Sequence, residues 1–237
     1  MQQADRQLVT FALTICLTCS ILLSAIAAGL RDRQEREVEL DRKMNVLIAF
    51  GVDTRDERGR RISGEEVDAI FASNIREIIL DASGNPMEDA EPDPAEIRAQ
   101  RQLPLYLWEE DGEVKRYAFP TSGQGLWSTI YGFLALERDL ATIAGITFFR
   151  HGETPGLGGE VERAWFTEQF EGKKLFADGE PVDFRVVQGG VESRYPEGNE
   201  HAVDGISGAT VTGVGVARFI SEDFRRYNAF FEQIRGT

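Results

Sequence analysis

Apolar and polar positions divide the chain into an uncharged run, a charged helical stretch and a mixed remainder. Residues 8–30, LVTFALTICLTCSILLSAIAAGL, carry no charge. A helix of that length, rising about 1.5 Å per residue, crosses the ~30 Å hydrocarbon core of a bilayer. The alternative is a cleaved signal peptide, with Arg6 as its basic end and Ser24-Ala25-Ile26-Ala27 as its small-residue site. The run outlasts the roughly 7–15 apolar residues of a signal peptide, which favours a retained anchor. Residues 31–50 continue the helix, with Val38, Met44, Leu47 and Ile48 as a partial apolar stripe and charges of alternating sign on a solvated face. They read as a stalk.

Beyond the stalk the period changes. Ser63-Gly64-Glu65-Glu66 opens a capped helix carrying Val67, Ile70, Phe71 and Ile75. Residues 81–100, with Gly84, Pro86, Pro92, Pro94 and several acids, predict an exposed connection with a short helix. Two strands, 105–108 and 114–119, flank the turn signal Asp111-Gly112. Residues 130–136 and 143–149 form a second pair, apolar enough to predict a sheet covered on both faces. A Gly/Pro loop at 152–159 leads into a helix near 161–170, and 184–187 is a short strand. From Val214 to Ile234, apolar residues recur at helix spacing, with an aromatic face for the sheet. The fold class is α+β: one transmembrane helix and stalk, then one mixed α/β domain. The predicted boundaries are 1–7, 8–30, 31–50 and 51–237.

Composition narrows the function. A net charge of −14 argues against a nucleic-acid partner. The two cysteines, Cys16 and Cys19, both lie in the apolar run, so the remainder has no thiol chemistry and no metal or iron–sulfur centre is expected in this chain. Basic residues cluster after the run, at Arg31, Arg33, Arg36, Arg42 and Lys43. The positive-inside rule alone would put the C-terminal domain in the cytoplasm.

Three segments carry candidate chemistry. In Asp204-Gly205-Ile206-Ser207-Gly208-Ala209-Thr210-Val211-Thr212, three hydroxyls and two glycines precede the last helix. Glycines allow close backbone approach, and a helix start favours a phosphate. The plain alternative is a helix capped by Ser207 or Thr210. The second segment is His151-Gly152-Glu153-Thr154-Pro155-Gly156-Leu157-Gly158-Gly159-Glu160, and the third is Ser122-Gly123-Gln124-Gly125-Leu126-Trp127-Ser128.

In this order, behind one apolar helix, the three segments resemble the C subunit of the sodium-translocating NADH:quinone reductase. The G subunit of the Rnf-type electron-transport complex shares two of them and is the alternative reading within the same chemistry. The resemblance covers roughly residues 8–30 and 45–237. It implies one FMN, held as a covalent phosphoester on Thr210 with Asp204, Ser207, Gly208 and Ala209 around it. A flavin transferase would move the FMN from FAD, with magnesium. Asp204 would either assist that transfer or stabilise the turn; Ser207 and Thr212 would cap and bond backbone. Gly125, Leu126, Trp127, Glu153, Thr154, Gly156 and Leu157 would form the ring pocket, with Trp127 either stacked on the ring or in the core. His151 and His201 would serve hydrogen bonding or proton delivery. The implied role is electron relay from a membrane iron–sulfur centre to the flavin-bearing B subunit of a sodium-pumping complex. The implied place is the bacterial inner membrane, single-pass, with the C-terminal domain periplasmic, against the charge rule. A membrane-anchored scaffold without cofactor is the alternative of another class.

Overall fold

The computed structural model describes residues 3–56 and 58–235. Helix α1 runs from Gln3 to Ala49 without a break. The chain divides into two compact units, Met1–Arg42 and Lys43–Thr237. In the first unit the apolar side chains lack a protein cover: Phe11 is 68% and Leu17 62% exposed. The hydroxyls of Thr10, Thr14 and Thr18 each donate to the carbonyl four residues earlier, at 2.8 Å. A helix so apolar, with its polar groups satisfied internally, suits a lipid environment.

The second unit is built on an antiparallel meander. Helix α2 (Gly64–Asn74) begins with a complete capping box: the Ser63 hydroxyl accepts from Glu66 N–H, and the Glu66 side chain accepts from Ser63 N–H. It ends one residue earlier than predicted, because Ile75 opens strand β1 (Ile75–Asp81), which the pattern did not reveal. Ile75 lies four residues after Phe71, so helix spacing runs past the true end, whereas branched Ile75, Ile78 and Ile79 suit a pleated surface. Helix α3 (Pro94–Arg98) follows, then strands β2 (Gln102–Glu110), β3 (Glu113–Gln124), β4 (Thr129–Glu137) and β5 (Ile143–Arg150). Strand order is β1-β2-β3-β4-β5. Asp111 and Gly112 both take positive φ, 52° and 76°, as a two-residue β2–β3 turn requires.

One helix is replaced by shorter pieces. Two 3₁₀ turns, Gly158–Glu162 and Glu168–Phe170, flank helix α4 (Ala164–Thr167). They lay Val161, Phe166 and Phe170, all fully buried, over the sheet. The small elements β6 (Phe176–Ala177), β7 (Glu180–Pro181), β8 (Arg185–Val187), α5 (Val191–Arg194) and β9 (Ala202–Asp204) lead to helix α6 (Thr210–Arg235).

Both faces of the sheet are covered. On one, Phe119 stacks on Tyr227 at 4.4 Å, and Phe148 meets the edge of Phe219, both partners lying on α6. On the other, Tyr106 meets Phe71 of α2, and Phe50 packs on Trp108. Buried Asp223 of α6 fastens helix to sheet, accepting from the Thr121 hydroxyl at 2.8 Å and Ser122 N–H at 2.9 Å, with the Arg226 guanidinium beside it.

Burial pushes the Asp223 carboxyl up from 3.8 to about 6, against the opposing pull of those donors. An acid whose pKa is higher folded than unfolded holds its proton longer in the folded state. Its contribution is therefore full below about pH 4 and is lost as pH rises through about 6. The displacement corresponds to about 3 kcal/mol. Chemical denaturation of the wild type and Asp223→Asn across pH 4–7 checks this: the variant should gain stability relative to the wild type as pH rises.

Candidate functional site

The three glycine-rich segments meet at the start of α6. The first forms the tip between β3 and β4, where Gly125 N–H donates to the Ser128 carbonyl at 2.8 Å. The second follows β5 and folds back on itself, the Thr154 carbonyl accepting from Leu157 N–H at 3.1 Å and Gly159 N–H at 3.0 Å. The third is the turn from β9 into α6, where Gly208 takes φ 75°.

Glu153 joins them. It is only 5% exposed, and its two carboxylate oxygens accept from five donors. Leu126 N–H, Trp127 N–H and Ser128 N–H lie at 3.2, 2.9 and 3.1 Å, the Ser128 hydroxyl at 3.4 Å and the Thr212 hydroxyl at 2.7 Å. Burial alone would raise this carboxyl. The Thr212 hydroxyl and the backbone N–H groups of Trp127, Ser128 and Leu126 outweigh it, and the pKa falls below 4.5. The Glu153 carboxylate thus faces the protein rather than an outside ligand.

Glycines make the junction possible. A Cβ on Gly125 would come within 2.7 Å of Glu153 Oε1, and one on Gly158 within 2.6 Å of Thr212 Oγ1. A Cβ on Gly215 would collide with the Gln124 carbonyl, so α6 lies directly on the end of β3. Gly208 lies under Leu157, whose Cδ2 would be 2.9 Å from a Cβ there.

The hydroxyls of the third segment have separate fates. Thr212 is buried and bound to Glu153. Ser207 and Thr210 are exposed, and neither hydroxyl makes a hydrogen bond among the described residues. The capping alternative therefore does not describe this helix. The first bond into α6 runs from Gly213 N–H to the Ala209 carbonyl at 3.0 Å. The N–H groups of residues 210–212 have no partner among the described residues, and the first turn holds no acid. Such a helix start bears a partial positive charge and suits a phosphate. Apolar side chains stand exposed nearby along the segments: Leu126, Trp127 (69%) and Leu157, with Val211 and Val214 on α6 itself. Trp127 is thus not a core residue. The apolar spacing counted Val214 in the packed stripe of the last helix, but the helix period puts it about 40° from Thr210, on the outward face.

Asp204 Oδ1 accepts from Val191 N–H at 2.6 Å and so holds the turn before α5. Buried Ala209 lies under the turn, and exposed Thr154 and Gly156 shape the second loop. His151 Nδ1 accepts from Glu153 N–H at 3.3 Å, and His201 Nδ1 bonds the Lys174 carbonyl at 2.9 Å.

Comparison with known proteins places these features in a family setting. Residues 125–222 match the family described as FMN-binding domain. The chain is 36% identical over 230 residues to the C subunit of the Na(+)-translocating NADH-quinone reductase of Vibrio campbellii, covering 85% of this chain and 84% of that one. It is 34% identical over 239 residues to the Pseudomonas aeruginosa protein of the same name, covering 91% and 89%. The crystal structure of Shewanella oneidensis NqrC superposes with a TM-score of 0.70 at 30% identity, covering 86% of this chain and all of that one.

Because the folded-state pKa of Glu153 is lowered, the stability it contributes is present above about 4.5 and lost as pH falls below that value. Glu153→Gln should therefore be less stable than the wild type at neutral pH, and the gap should close on acidification below pH 4.5. Denaturant midpoints across that range measure it.

Proposed function

Because this chain belongs to the family of C subunits of Na(+)-translocating NADH-quinone reductases, we propose that it carries one FMN as a phosphoester on Thr210 and relays electrons within that complex. The observation that carries the assignment is the contrast between two threonines. Thr210 is exposed and unbonded at a bare helix start, while Thr212 is buried and donates to Glu153.

The residues suit such a group. The free N–H groups of 210–212 would hold the phosphate. Attachment forms a bond from Thr210 Oγ1 to the FMN phosphorus and breaks the pyrophosphate of FAD, releasing AMP while the threonine proton passes to the medium. A separate flavin transferase with magnesium would catalyse that exchange, where positioning and charge neutralisation dominate. Leu126, Trp127, Leu157, Val211 and Val214 offer apolar cover for a flat ring, and Trp127 is free to stack on it. When bound, the flavin supplies the redox chemistry; the protein supplies position and surrounding field.

A covalent link suits a carrier that hands on electrons without releasing a product, since it prevents loss of the cofactor to water. The donor would be a membrane iron–sulfur centre and the acceptor the flavin of the B subunit. NADH oxidation, quinone reduction and sodium movement are then properties of the whole complex. The one candidate span among the described residues would form no ion path by itself. The α1 anchor would lie in the bacterial inner membrane with residues 31–237 on the periplasmic side.

Made together with a flavin transferase, the full chain should fluoresce under ultraviolet light on a denaturing gel, and peptide mass spectrometry should put the FMN mass on Thr210. Thr210→Ala should lose all of it. Flavin found on Thr212 would shift the acceptor, and no flavin at all would favour a scaffold without cofactor.

Reporter fusions after residue 45 test the orientation. An alkaline phosphatase fusion should be active and a cytoplasmic reporter silent; the reverse pattern would place the domain in the cytoplasm.

A further inference from the structure

We propose that Glu153 is a positioning residue for flavin attachment: its ionised carboxylate clamps the β3–β4 tip to α6 and so sets the register that leaves Thr210 outermost. The inference rests on the reading of Thr210 as the acceptor. Four of its five donors come from residues 126–128, and the fifth is the Thr212 hydroxyl at 2.7 Å. Successive helix residues turn by about 100°, so positions 210 and 212 lie about 200° apart around α6. Holding Thr212 inward therefore turns Thr210 outward. The same carboxylate fixes the backbone of Leu126 and Trp127, whose side chains stand exposed.

The clamp depends on charge and on acceptors alone. An ionised carboxylate offers only lone pairs, which matches a site where every partner is a donor. A glutamine keeps the size but points its own N–H₂ at some of those donors. Valine for Thr212 keeps the shape and removes the hydroxyl, whereas serine keeps the hydroxyl.

The test uses the full chain made without flavin and purified in detergent. A purified flavin transferase, FAD and magnesium are added, and covalent fluorescence on a denaturing gel is followed over time. Every variant is assayed where circular dichroism shows it folded. The expected result is attachment about a hundredfold slower for Glu153→Gln and Thr212→Val, the size of loss that misplacing a reacting group brings. The double variant should be no slower than the slower single one, because both remove one interaction. Thr212→Ser should restore attachment. Phe231→Leu, which loosens the same helix about 30 Å from Thr210, should attach flavin at the wild-type rate.

Wild-type rates in Glu153→Gln and Thr212→Val would overturn the clamp, as would an equal loss in Phe231→Leu, which would trace the effect to general stability. No flavin on the wild type, or full flavin on Thr210→Ala, would overturn the acceptor reading and the clamp with it.

Discussion

A carboxylate can stay ionised inside a protein only if donors replace the water it leaves. The effective cost of burying a charge is several kcal/mol, and each hydrogen bond to a charged group returns roughly 1.5–3 kcal/mol. One or two donors would leave Glu153 protonated. Five reverse the balance, so its pKa drops although burial alone would raise it. The dependence runs both ways: without Glu153, the N–H groups of residues 126–128 would point at one another around an unfilled centre. The β3–β4 tip, the loop after β5 and the first turn of α6 are therefore three surfaces organised around one anion.

That arrangement gives the glycines a second meaning. In a sequence, glycines beside hydroxyls read as room for a ligand. In the structure, several make room for the protein itself. Gly125 and Gly158 lie against the Glu153 carboxylate, Gly213 under Val186, and Gly215 against the end of β3. Gly156, with φ 75° and nothing within 4 Å of a Cβ placed there, leaves open space, whereas Gly208, also at φ 75°, is covered by Leu157. The spacing of glycines in the three segments is thus largely the imprint of close packing between them.

What was legible followed from period and length. The anchor, the Asp111-Gly112 hairpin and the aromatic face of α6 each spread one signal over many residues. Strand β1 was not legible, since Ile75 continues the helix spacing of Phe71 and its strand partners lie about thirty residues away in β2. The helix expected near 161–170 became three turns because Val161, Phe166 and Phe170 must all reach the same sheet face. At the site, residue types and grouping were legible, but the direction of each side chain was not. Glu153 looked like a ligand residue and faces inward; Trp127 could have been core and stands exposed. Thr212 could have been assigned from period alone: counted from Thr210, it shares the inner face with Val216, Phe219 and Asp223.

A net charge of −14 should repel a phosphate, yet the proposed attachment point lies within this acidic domain. Range resolves the conflict. At physiological ionic strength, exposed charges are screened within about 8 Å, so the distant surface acids count for little at the start of α6. Locally, the first turn has no acid, Asp204 is engaged with Val191 N–H, and the charge of Glu153 is spent on five donors inside the protein. The unpartnered N–H groups of residues 210–212 then dominate the field that an anion meets there. The five donors also turn the Glu153 oxygens toward the β3–β4 tip and Thr212, about 200° around α6 from the proposed attachment point.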